Sequence, residues 1–153
     1  LQRCQKENIH TAVDTSLFTA PKNLKKIIPY TDLFMVSIKQ IDVEAHQKLT
    51  GVSNEVILKN LKTLAQEKQK IWIRYVLIPE MTNTPEYLKK LVNILKPISP
   101  EKIELLPYHQ AGANKWKQIG LKNEFEEIRV PPKTEIKTVE EWRWGKRWKT
   151  VYK

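Results

Sequence analysis

Ile71-Trp-Ile-Arg-Tyr-Val-Leu-Ile78, then Thr84-Pro-Glu-Tyr-Leu-Lys-Lys-Leu-Val-Asn-Ile-Leu-Lys96, then Ile103-Glu-Leu-Leu106: the reading of these three segments decides the fold. The first is apolar at all but one position, which is the pattern of a strand inside a parallel sheet rather than of a half-exposed antiparallel one. The second opens on Thr84 before Pro85, a helix start, and carries Tyr87, Leu88, Leu91, Val92 and Leu95 on one face until Pro97, which is expected to stop it. The third is a short apolar run again. A strand, a helix of that length and a second strand form the crossover that joins parallel neighbours.

The same unit recurs towards the N-terminus. Thr11 to Ser16 and Leu33 to Ile38 read as two further strands. Between them Pro21 to Ile28 places Leu24, Ile27 and Ile28 at helical spacing, and after them Ser53 can cap a helix with the stripe Ile57, Leu58, Leu61, Leu64 and Ala65. Four strands alternating with helices predict a parallel α/β sheet, open or curled into part of a barrel. Beyond Pro107 the periodicity fades: Gly112, Gly120, Pro131 and Pro132 break the chain, and Trp142, Trp144 and Trp148 lie among Arg and Lys. We therefore assign 1–132 to the α/β domain and 133–153 to a basic, Trp-rich segment.

Composition narrows the function classes. With 153 residues one domain is expected, and no apolar stretch approaches the roughly 20 residues that cross a bilayer. Cys4 is the only cysteine, which excludes an intrachain disulfide, a zinc ribbon or an iron–sulfur cluster built from this chain alone, and suits a cytoplasmic setting. The net charge of +10 would attract nucleic acid without specificity. Lys25, Lys26, Lys62, Lys68 and Lys70, however, fall between apolar helical positions, so they are expected to solvate outer faces, and a dedicated nucleic-acid site is disfavoured.

In parallel α/β folds reactive groups gather where the strands end. Here the first strand ends in Asp14, Thr15 and Ser16, the second in Ser37 and Lys39, and the fourth leads through Pro107 and Tyr108 to His109. Arg74 and Glu104 interrupt apolar runs, and either pair with each other or face a ligand. Each end residue also has a plain structural reading: Asp14 and Thr15 as turn caps, Lys39 in solvent, His109 as a loop residue. Together they suggest a site for an anion or zwitterion.

Five blocks in order add a resemblance: His10-Thr-Ala-Val-Asp-Thr-Ser16, Asp32-Leu-Phe-Met-Val-Ser-Ile-Lys-Gln40, His46-Gln-Lys-Leu-Thr-Gly-Val-Ser-Asn54, Ile71 to Pro79, and Lys102-Ile-Glu-Leu-Leu-Pro-Tyr-His109. From about Ile9 to Pro132 the chain resembles the glycyl-radical-enzyme activases of the radical S-adenosylmethionine superfamily, most closely the pyruvate formate-lyase type. The resemblance implies a partial (β/α) barrel of six strand–helix units, of which these four strands are the last. It also implies S-adenosylmethionine and a 4Fe-4S cluster as cofactors, pyruvate formate-lyase as partner, and flavodoxin or ferredoxin as electron donor to the complete enzyme. By the same matching, Ser37, Ile38, Lys39, Arg74, His109, Asp14 and Thr15 fall at cofactor positions, and Asp14, Thr15 and Met35 around a monovalent-cation site.

Two departures stand out against that family. Its Asp-x-Lys is here Ser37-Ile-Lys39, which loses a carboxylate, and the glycine after its Asp-Thr pair is Leu17, whose side chain opposes positive φ. The family's cluster cysteines match nothing in this sequence. The reading that follows is a cofactor-side portion of an activase, inactive alone; the alternatives are a non-catalytic, partner-binding module and a basic nucleic-acid-binding protein. An unpaired sheet edge at Thr11 would also favour self-association.

Overall fold

The computed structural model describes residues 1–141 and 148–150. After a short helix, α1 (Gln2–Lys6), the chain builds strand and helix in turn. These are β1 (Ala12–Thr15), α2 (Pro21–Ile27), β2 (Leu33–Ile38), α3 (Val43–Thr50), α4 (Glu55–Gln66), β3 (Ile71–Leu77), α5 (Pro85–Ile98) and β4 (Lys102–Pro107). α6 (Ala113–Gln118), α7 (Lys133–Glu141) and β5 (Trp148–Thr150) complete it. All strands are parallel, in the order β1-β2-β3-β4-β5, with β1 at an edge. The four expected strands and their crossover helices are present, and this is the partial α/β barrel that the sequence predicts. The backbone of Trp148 lies on a fifth strand not read from the sequence, while Trp142 and Trp144 lie outside the described residues.

Burial alternates along the strands. In β3, Ile71, Ile73, Tyr75 and Leu77 are buried, while Trp72, Arg74 and Val76 are only half-buried. The near-continuous apolar run predicted burial on both faces; the sheet is instead covered on one face by helices and more open on the other. Phe34, Val36, Ile38, Ile73, Tyr75 and Leu105 pack with Leu24 of α2, Ile57, Leu61 and Leu64 of α4, and Leu88, Leu91 and Leu95 of α5. Removing this apolar surface from water, at about 25 cal/mol per Å², is what drives the helices onto the sheet. Lys25 and Lys26 of α2 and Lys62 of α4 are exposed, as solvating side chains of such helices should be, and Lys68 and Lys70 are exposed too, in the connection between α4 and β3 rather than on a helix.

The helix ends show how the chain is punctuated. Thr84 caps α5, its hydroxyl accepting from the N–H of Tyr87. Pro97 does not stop this helix: α5 runs one residue further and ends where Ser99 adopts a left-handed conformation, φ 52°. Ser53 accepts from the N–H of Glu55, whereas Asn54 takes the cap position of α4 and turns its side-chain amide to the carbonyls of Gln40 and Ile41. α3, which its own apolar pattern did not announce, has an Asp42 cap, bonded to the N–H of Ala45, and left-handed Gly51 after its last turn. Lys90 bonds Asp42 from α5 and, with that N–H, holds the carboxyl below its ordinary value.

Asp32 ties the sheet edge together. Its Oδ2 accepts from the backbone N–H of Thr11 at 2.7 Å and lies 2.9 Å from the Thr11 hydroxyl. These bonds depress the Asp32 pKa, so the carboxylate stabilises the fold above its unfolded-state value and loses that contribution as pH falls through the folded one. Thermal unfolding followed across pH should show Asp32→Asn less stable than the parent at neutral pH, with the gap closing from about pH 4 downward. A gap unchanged by acid would contradict this role. Among the described residues no helix is long and apolar enough to cross a membrane.

Candidate functional site

Strand register builds the site. Asp14 stands opposite Met35, Ser37 opposite Arg74, and Arg74 opposite Glu104. With side chains alternating along each strand, all five share the face that the helices leave open. Arg74 bridges the row: its Nη1 donates to Asp14 Oδ2 at 2.5 Å, and its Nε lies 3.4 Å from a carboxylate oxygen of Glu104 without forming a hydrogen bond. The Ser37 hydroxyl reaches the other Asp14 oxygen at 3.5 Å. Lys102, two residues before Glu104 on the same strand, pairs with that carboxylate and lies over the Trp72 ring, 4.4 Å from its centroid.

Both readings of Arg74 and Glu104 thus meet in one arrangement, since the two pair and also face open space. Asp14 remains 48% exposed at its side chain, so its bond with Arg74 orients both groups more than it stabilises the fold. Above the row lies a cavity of about 830 Å³ whose wall includes Asp14, Met35, Arg74, Glu104, His109 and Lys133. That volume is within the roughly 300–1,000 Å³ of ordinary small-molecule sites. Val76, Leu106 and Ile136 give it apolar walls.

The expected residues divide into groups. Asp14, Met35, Arg74 and His109 line the cavity, and Ser37 adjoins it through Asp14. Lys39 is exposed just beyond β2 and outside the cavity wall. Thr15 and Ile38 point to the helix-covered side: the Thr15 hydroxyl accepts from the N–H of Leu17, and Ile38 is a core residue. Lys133 was not read as a site residue. It arrives on α7, within the segment read from the sequence as a separate basic tail; Ile136 and Val139, spaced three apart after Pro132, are the signal that this helix packs on the domain.

Leu17 defies the expectation drawn from its side chain, for it adopts φ 61° and is buried. Left-handed backbone costs a non-glycine residue about 1–2 kcal/mol, and burying the leucine side chain returns about as much. The turn is held from α4, where the Asn60 amide donates both its hydrogens, to the carbonyls of Leu17 at 2.9 Å and Thr19 at 2.8 Å. His109 accepts at Nδ1 from the Ala111 N–H, which in the neutral ring leaves the proton on Nε2.

An iron–sulfur cluster does not fit these residues. Cys4 is the single cysteine and sits on α1, and among the described residues no three His, Cys, Asp or Glu converge as metal ligands. The cavity brings cations, carboxylates, an imidazole and apolar walls together, a lining that suits a small zwitterion.

No protein-family profile matches the chain. The pyruvate formate-lyase-activating enzyme of Clostridium pasteurianum is 35% identical over 143 residues, covering 93% of this chain and 60% of that protein. The trans-4-hydroxy-L-proline dehydratase activating enzyme of Clostridioides difficile is 36% identical over 141 residues, covering 91% of this chain and 47% of that protein. Among solved structures, a domain of pyruvate-formate lyase-activating enzyme from Bacteroides vulgatus superposes with a TM-score of 0.80 and 25% identity, covering 98% of this chain and 86% of that domain. Sequence and fold agree: the chain is a homologue of the pyruvate formate-lyase activating enzymes and spans between 47% and 60% of the length of the curated relatives it matches.

Proposed function

We propose that this chain is the S-adenosylmethionine-binding portion of a glycyl-radical-enzyme activase and is inactive alone. The observation that carries the reading is the convergence of Asp14, Arg74, Glu104 and His109, from four different points of the chain, around one cavity on the open face of the sheet. Arg74, already oriented by Asp14 and Glu104, offers its remaining N–H donors to the ligand carboxylate. Asp14 and Glu104 face the cationic sulfonium and ammonium groups, Met35, Val76 and Leu106 exclude water around the nucleoside, and His109 hydrogen-bonds at that end. Lys39, exposed just beyond β2, attracts the carboxylate on entry.

Held by Asp14, Arg74, Glu104 and His109 in a complete activase, the cofactor would supply, after one-electron reduction by a donor outside this chain, the radical chemistry directed at a backbone glycine of the partner, for which pyruvate formate-lyase is our reading. No step through a cluster is assigned to this chain, because its one cysteine cannot hold one.

Calorimetric titration with S-adenosylmethionine tests the site. His109→Ala should weaken binding by about tenfold, the cost of one hydrogen bond, and Lys39→Ala, outside the cavity wall, by about twofold to threefold through lost attraction. Equal affinity in all three proteins would refute the assignment. The single cysteine also favours a second reading, a partner-binding module without cofactor, and absence of any saturable binding would select it.

A further inference from the structure

We infer that the Arg74 guanidinium takes the place of a monovalent cation beside Asp14, so that this site, located by the reading above, works without sodium or potassium. The resemblance assigns Asp14, Thr15 and Met35 to a cation, and cations of this kind need several oxygen ligands around one point. The side chains of these residues do not provide them. Asp14 Oδ2 is engaged by Arg74 Nη1 at 2.5 Å, so an ion at that oxygen would stand against a fixed positive charge. The Thr15 hydroxyl is turned to the helix-covered side, where it accepts from the Leu17 N–H at 2.9 Å. Met35 brings a soft thioether, which hard cations disfavour.

Position 37 completes the argument. Ser37 stands opposite Arg74 in the register, with its hydroxyl 3.5 Å from Asp14 Oδ1. An aspartate there would set a second carboxylate beside the first and require more positive charge than one guanidinium, itself shared with Glu104. With serine, the row holds two carboxylates, Asp14 and Glu104, against two cations, Arg74 and Lys102. Its charge is already balanced by side chains alone.

The test uses the whole chain without S-adenosylmethionine, so its outcome is independent of whether that ligand binds. Thermal unfolding is measured in choline, sodium and potassium chloride at one ionic strength, for the parent and for Ser37→Asp/Arg74→Gln. The parent should melt at the same temperature in all three salts. The double variant, with two carboxylates and no guanidinium between them, should gain a saturable rise of about 2–4 °C in sodium or potassium. Should that variant fail to fold, Ser37→Asp alone is expected to show a smaller rise of the same kind. A saturable, ion-specific rise in the parent would overturn the inference, and so would variants as indifferent to the salt as the parent.

Discussion

Phe34→Ala is expected to destabilise the domain by about 3–5 kcal/mol, enough to remove a large part of the 5–15 kcal/mol that such domains possess. Phe34 is fully buried on β2, with β1 hydrogen-bonded on one side and β3 on the other, and its ring belongs to the core shared by sheet and helices. Removing it opens a cavity that rigid strands cannot close. The loss is transmitted to the site because β2 carries Met35 and Ser37 on the opposite face. Urea unfolding should show a lower midpoint with an unchanged slope. A loss below about 1 kcal/mol would mean that the sheet is not packed as described.

The second large effect is expected at Asn60, through hydrogen bonding rather than volume. Its amide satisfies two carbonyls, those of Leu17 and Thr19, in a turn strained by the left-handed conformation of Leu17. A buried polar group left without a partner costs about 1–3 kcal/mol, so Asn60→Ala should lose about 2–5 kcal/mol. Asn60→Asp should be worse despite its equal size, because the carboxylate oxygen in place of Nδ2 would face both carbonyls. Since this turn follows Asp14 and Thr15, both variants should also weaken S-adenosylmethionine binding under conditions where they remain folded. If Asn60→Asp were as stable as the parent, the amide would not be what holds the turn.

Much of the fold was legible because crossover helices and parallel strands leave separate periodic marks. The Tyr87–Leu95 stripe and the Thr84-Pro85 start fixed α5 on sequence grounds. The exposure of one sheet face was not legible, since Trp72 and Val76 are apolar yet only half-buried and make β3 read as fully buried. α3 escaped notice because its apolar face is weak, although Asp42 and Gly51 mark both ends. Of the site, Asp14 and His109 followed from a rule about strand ends, and Arg74 from its charge inside an apolar run. The Thr15 side chain did not follow it, because a period of two sends neighbouring residues to opposite faces and only one of the pair can meet the cavity. Lys133 was hidden by distance in sequence, since it comes from the return of the chain across the sheet.

The central claim is that the open face of this sheet, at Asp14, Arg74 and His109, is a nucleoside site. Titrating S-adenosylmethionine into the ¹⁵N-labelled chain and following the backbone amide resonances tests it most directly. The amides of Asp14, Arg74 and His109 should shift together with one saturating affinity, while those of Leu61 on α4 and Leu91 on α5 stay fixed. Shifts confined to the lysine-rich outer surfaces of α2 and α4, or none that saturate, would contradict it.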